Sequence, residues 1–174
     1  QNDIRRALTE VGRGSFLGVK ERTASGPLVE ELTKAVIRLA GKRVGALIVV
    51  AREVGLNEYI RTGIPLHAEV RKELIESIFL PGAPLHDGAL IIQQGQIVAA
   101  GCILPLTSNS NVRQHFGTRH RAAMGLTEET DAIVVVVSEE EGTISLVREG
   151  RMTRVLDADA VRDALQPLFA HDVG

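Results

Sequence analysis

Apolar positions along this chain switch between two spacings, and the switches divide it into elements. Leu28, Leu32, Ala35, Val36 and Leu39 recur every three to four residues, which predicts a helix over Leu28–Ala40. Gly41 then stands where a helix end wants a left-handed residue. Val44–Ala51 is β-branched without polar alternation, the pattern of a central strand covered on both faces. Val70, Leu74, Ile75, Ile78 and Phe79 line one side of a helix expected over Ala68–Leu80, which Pro81 and Pro84 stop. Apolar runs on either side of Gln93-Gln94-Gly95-Gln96 predict a hairpin pairing Ala89–Ile92 with Ile97–Leu104.

Thr107–Phe116 is polar and reads as a loop, followed by a short helix over Arg119–Met124. A buried strand is expected over Ala132–Ser138, joined through the turn Glu139-Glu140-Glu141-Gly142 to a partner over Thr143–Arg148. Val161, Leu165 and Leu168 face inward on a last helix, Asp159–Phe169. Upstream, Ile4–Val11 reads as a short helix and Lys20–Pro27 as a polar connector, so residues 1–27 are expected to lead into one folded unit over 28–174. This order is neither a regular βαβ alternation nor an all-β pattern. It predicts an α/β (α+β) fold: a mixed, largely antiparallel central sheet flanked by helices, in a single domain.

Composition narrows the partners. Among 174 residues, 20 Lys and Arg stand against 22 Asp and Glu, so there is no basic excess to neutralise a nucleic-acid backbone. One Tyr, four Phe and no Trp also leave little surface for stacking bases, and nucleic acid is not the expected partner. Cys102, the one cysteine, lies among apolar neighbours and reads as a buried structural thiol. Val44–Ala51 and Ala132–Val137, the longest apolar runs, are far shorter than the roughly 20 residues that cross a bilayer. The chain starts at Gln1 rather than Met, so an anchoring segment upstream is compatible with this reading.

Four places could carry chemistry. His86-Asp87-Gly88-Ala89 falls where a proline-punctuated loop becomes a strand. Asp-Gly is a common turn dipeptide, but a strand-edge carboxylate beside a glycine could also hold a divalent cation. Gly117-Thr118-Arg119-His120-Arg121 is more telling. Thr118 is a suitable N-cap, and the cationic residues then occupy the first helical turn, the end where the helix dipole disfavours positive charge. Bound phosphate would offset that cost, through free backbone N–H groups and bidentate guanidiniums; the plainer alternative is an arginine pair on surface carboxylates. Ser138-Glu139-Glu140-Glu141 ends a buried strand, either as a solvated turn or with a carboxylate reaching a metal or base. Tyr59, in "EVGLNEYI", is a polar-tipped aromatic whose plain reading is packing.

Taken together, "PLHDGALII", "GTRHRAAMGLTEETDA" and "VVVVSEE", in that order, resemble the diadenylate cyclase family, whose signatures are Asp-Gly-Ala and Arg-His-Arg. "GLNEYI" and the "RRALTEVGRG" lead-in are similar to its membrane-anchored type. The resemblance implies condensation of two ATP to cyclic di-AMP with release of two pyrophosphates, dependent on Mg or Mn. It implies Asp87 as metal ligand and aid to deprotonation of the 3′-hydroxyl, with His86 as a second ligand. Gly88 and Ala89 are expected to let the nucleotide approach the backbone. Thr118, Arg119, His120 and Arg121 are expected on the phosphates, with Arg119 and Arg121 catalytic. Leu104 would meet adenine through its main chain, and Ser138 and Glu140 would line the phosphate and metal side. Ile103 departs from the aromatic residue that close relatives often carry there.

Because one site holds one ATP while the product joins two nucleotides, the resemblance further implies a homodimer with facing sites. It also implies the cytoplasmic domain of a membrane-anchored protein, answering to a membrane regulator and a phosphoglucosamine mutase. Two other classes compete: a nucleotide-sensing module that binds ATP without turnover, and a metal-dependent phosphohydrolase. The first is disfavoured by the intact Asp87, the second by the scarcity of further carboxylates and histidines for a two-metal site.

Overall fold

A computed structural model describes residues 26–155 and 157–170. The expected helix Ile4–Val11 and most of the Lys20–Pro27 connector lie outside these residues. The described part is a three-layer arrangement in which helices cover both faces of one sheet. Its elements are α1 (26–41), β1 (Ala46–Val50), α2 (Asn57–Ile60), β2 (Ile64–Glu69), α3 (Lys72–Phe79), β3 (Ala89–Gln93) and β4 (Gln96–Cys102). They continue with α4 (Ser110–His115), α5 (Thr118–Glu129), β5 (Ile133–Val137), β6 (Ile144–Arg148), β7 (Arg151–Val155) and α6 (Ala158–Ala170).

Seven strands lie in the order β2-β4-β3-β1-β5-β6-β7. Only β1 and β3 run parallel; every other neighbouring pair is antiparallel. The expected mixed, largely antiparallel sheet flanked by helices is the fold found. Alternation within the strands separates two cores. Ala46, Ile48 and Val50 of β1, with Leu90, Ile92, Ile133 and Val135, face α1, α3 and α6. Leu47 and Val49, with Ile91, Ala99, Val134 and Val136, face α5 through Ala122, Ala123 and Leu126. Both faces of β1 and β5 are therefore buried, which is why their sequences carry no polar alternation.

Several expectations need correction. Residues 64–69 are an edge strand, so the helix expected from Ala68 begins at Lys72. Pro65 and His67, with φ of 51°, disrupt the strand pattern and coincide with a bulge that an edge tolerates. The 107–116 segment is not all loop: Asn109 accepts a hydrogen bond from the Asn111 N–H and starts α4. Gly41 lies inside α1; its end is closed by Arg43, at φ 53°, with Val44 N–H donating to Leu39 C=O. In α5, Gly117 is the N-cap and Thr118 the first helical residue, and the helix continues past Met124 and Gly125 to Glu129. Finally, Glu149-Gly150, at φ 50° and 69°, make a second tight hairpin turn, and the polar run Arg151–Val155 pairs with β6.

Candidate active site

Four segments converge at the end of the sheet where β1 begins and β4 and β5 end. They enclose a cavity of about 930 Å³. One wall is the loop before β3, with His86, Asp87 and Gly88; the next is the end of β4 and its continuation through Ile103 and Leu104. Opposite stand the N-terminus of α5, with Thr118, Arg119 and His120, and the β5–β6 turn with Ser138 and Glu140. Motifs far apart in sequence thus share one space. Two expected residues do not reach the wall: Ala89 is fully buried and pairs with Cys102, and Arg121 is not among the lining residues.

The geometry of each group has a local cause. His86 Nδ1 lies 2.6 Å from Ala83 C=O. A carbonyl only accepts, so Nδ1 carries the proton and Nε2 is left as the basic nitrogen. Gly88 has φ of 119°, and a Cβ there would come within 2.8 Å of the Gly101 backbone. Its glycine is required by that close crossing of β3 and β4, whatever approaches from the cavity. Ser138 Oγ accepts from the Glu141 N–H and so shapes the acidic turn.

At α5 the first turn holds no acidic residue, and Arg119 and His120 sit over the helix's unpaired N–H groups. The Arg119 guanidinium reaches Glu139, 3.5 Å away, and its Nε is buried without a partner, as is Nε of Arg121. Arg119 lies flat on Gly45, where a Cβ would stand 2.5 Å from its Nη1. Any side chain at 45 would push the guanidinium away. His120 is 8% exposed, with its ring 5.2 Å from that of Phe116. Burial, and secondarily the Arg119 charge, lower its pKa below the usual 6.5, so this ring is neutral at pH 7.

That neutrality has a testable sign. The unfolded chain takes up a proton near pH 6.5 that folded His120 refuses, so its share of stability is complete above that pH and lost below it. Melting temperature should fall from pH 7 to pH 5.5, and less steeply in His120→Gln. Parallel profiles in thermal melts would place the acid sensitivity elsewhere. Cys102, also in the cavity wall, is 1% exposed, and burial raises its thiol to about 11, as expected of a structural cysteine.

A family model described as DisA bacterial checkpoint controller nucleotide-binding, or DAC, matches residues 33–152. The chain belongs to this family. Cyclic di-AMP synthase CdaA of Bacillus subtilis is 42% identical over 172 residues, 97% of this chain and 63% of that protein. A diadenylate cyclase of Listeria monocytogenes is 42% identical over 168 residues, 95% of this chain and 62% of that protein. The crystal structure of a double mutant of DacA from Staphylococcus aureus superposes with a TM-score of 0.80 at 42% identity, covering 83% of this chain and 96% of that one. A Bacillus cereus structure titled as a hypothetical membrane spanning protein gives 0.70 at 46% identity, covering 73% and 62%. The chain thus spans less than two thirds of the length of these two curated relatives, 63% and 62%. Among its own described residues, no helix is long and apolar enough to cross a membrane.

Within this DAC member, the donors fit a loosely held hard cation better than a closed cage. No three His, Cys, Asp or Glu side chains among the described residues converge on one point. What the site offers is an exposed carboxylate, Asp87, and the basic Nε2 of His86. Mg²⁺ and Mn²⁺ bind in that way, with one or two protein ligands and the rest from phosphate and water. Residues that reading the sequence missed here include Gly45, Phe116, Ser145 and Arg154. Phe116 abuts the Gly117-Thr118 motif and could have been included with it. Ser145 lies on the expected β5–β6 hairpin but in a mostly apolar strand, whereas Arg154 required the β6–β7 pairing, whose signal is the Glu149-Gly150 turn.

Proposed function

We propose that this chain is the catalytic unit of a diadenylate cyclase, converting two ATP into cyclic di-AMP and two pyrophosphates. The observation that carries the reading is the shared cavity: a carboxylate and an imidazole on one wall face a helix N-terminus on the other, where Arg119 is engaged only by the exposed Glu139. Nucleotidyl transfer needs that division of labour, one end for the attacking hydroxyl and one for the charge of the leaving group. Each 3′-hydroxyl oxygen forms a bond to the α-phosphorus of the other ATP, the bond from that phosphorus to the β-phosphate oxygen breaks, and pyrophosphate leaves. The hydroxyl proton departs toward Asp87.

Asp87 and His86 Nε2 are the groups that would hold a divalent cation, which when bound supplies charge neutralisation and a more acidic hydroxyl. Arg119 releases Glu139 and takes phosphate oxygens, since a dianionic phosphate is the stronger partner for a guanidinium. The N–H groups of the first α5 turn point at the same charge. Thr118, His120, Ser138 and Glu140 complete that wall, with the neutral His120 packed at a tilt against Phe116 rather than adding a cation. Leu104, 7% exposed, and Ile103, 69% exposed, offer an apolar flank for the base. Gly88 permits the turn that presents Asp87; Ala89 and Arg121 act from behind the wall, as packing and as support for α5.

One cavity holds one activated α-phosphate, so two copies must face each other, and the simplest arrangement is a two-fold pair. The whole protein is read as membrane-anchored, with this unit in the cytoplasm, in keeping with the Bacillus cereus neighbour, which is described as a hypothetical membrane spanning protein. Incubation with ATP and Mg²⁺ or Mn²⁺, with products resolved by mass, tests the reading. Cyclic di-AMP is expected, with activity per protomer falling on dilution. ADP or AMP instead would indicate a phosphohydrolase, and tightly bound, unchanged ATP a sensing module.

A further inference from the structure

Resting on the cyclase reading, one cationic group of the cavity has no role yet: Arg154 of β7, two residues beyond the span that the family model matches. Strand parity fixes which way it faces. Met152 packs into the α5-side core and Val155 against the opposite one, so Arg154, two residues after Met152, shares the α5 face. Register agrees. Arg154 pairs with Ser145, Ser145 with Val136, and Val136 with Leu47, a row crossing the sheet on which Leu47, Ser145 and Arg154 all line the cavity. Arg154 also opposes the protonation of His120, in keeping with that facing.

Its partner is Glu141, with Arg154 Nη2 and Glu141 Oε2 3.6 Å apart and side chains 59% and 66% exposed. A pair so open to water adds little to stability and is no anchor for the strand. The arrangement repeats that of Arg119 with Glu139: in each case a guanidinium lining the cavity is engaged by a carboxylate of the same acidic turn. We propose that Arg154 binds the β- and γ-phosphates of the nucleotide, and that Glu141 occupies it until the nucleotide arrives. Glu141 is then an internal competitor of the triphosphate. The two residues differ in the sign of their effect, since removing Arg154 weakens binding whereas removing the Glu141 charge frees Arg154 and strengthens it. A merely structural ion pair would have both substitutions act in the same direction.

The test is calorimetric titration, with Mg²⁺ present, of wild type, Arg154→Gln and Glu141→Gln with α,β-methylene ATP and with AMP. The expected result is roughly 10-fold weaker analogue binding in Arg154→Gln, as for loss of a charged hydrogen bond at an open site. Glu141→Gln should bind the analogue about twofold tighter. AMP, lacking the outer phosphates, should bind all three proteins within about twofold of one another. Wild type and Arg154→Gln binding the analogue equally would overturn the assignment while leaving the cyclase reading intact. A folded wild type that binds no nucleotide would overturn both.

Discussion

Asp87→Asn should abolish most turnover while leaving the protein folded and able to bind ATP. Asp87 is exposed at the cavity wall, on the loop between His86 and Gly88, so an isosteric amide there disturbs no core packing. Its effect on stability should stay within about 0.5 kcal/mol. On the proposed reading phosphate binding falls to Arg119 and the α5 N-terminus, which line the same cavity, so ATP affinity should change only a few-fold. What the amide cannot do is accept the hydroxyl proton or present an anionic ligand. Loss of such a group ordinarily costs about 10²- to 10⁴-fold in rate. Cyclic di-AMP formation measured by mass, with calorimetry on the same samples, separates the two quantities. Undiminished turnover would remove Asp87 from the chemistry, and loss of affinity in proportion to rate would make it a binding residue only.

How much of this was legible before the fold was known depends on where each residue sits in the sheet. The central strands announced themselves: β1 and β5 are buried on both faces, so their apolar runs are uninterrupted. The edges did not. In β2 and β7 one ladder edge is unpaired and few side chains are covered, so Pro65, His67, Arg151 and Arg154 are tolerated there, and such residues argue against a strand when read alone. The site followed the same division. Asp87 and Arg119 stand in compact motifs and could be named together, but Arg154 joins them only through register across the β6–β7 hairpin. Gly45 was invisible for another reason. Its significance is the guanidinium lying on it, a contact that no local pattern encodes.

Gly125 illustrates the same point with a larger expected effect. Within a helix, glycine costs about 1 kcal/mol relative to alanine, so propensity alone says that Gly125→Ala should stabilise α5. The structure reverses the sign. A Cβ at 125 would run into Pro105 O and stand 2.7 Å from Pro105 C, and backbone cannot rotate out of the way as a side-chain tip can. Thr107 N–H donating to Arg121 C=O ties the same 105–107 segment to α5 one turn earlier, so helix and segment must separate together. Overpacking of this kind costs 1 to 3 kcal/mol in ordinary cores, and with backbone on both sides we expect about 3 kcal/mol or more, on the order of 10 °C in melting temperature. Because Leu106 of this segment lines the cavity, as do Ile103 and Leu104 just before it, ATP affinity should fall with it. Gly55→Ala is the control: nothing lies within 4 Å of a Cβ there, and its melting temperature should match wild type. Thermal melts in which the two variants coincide would mean that the 105–107 segment yields without cost, and that the close approach to α5 is not what holds the cavity wall in place.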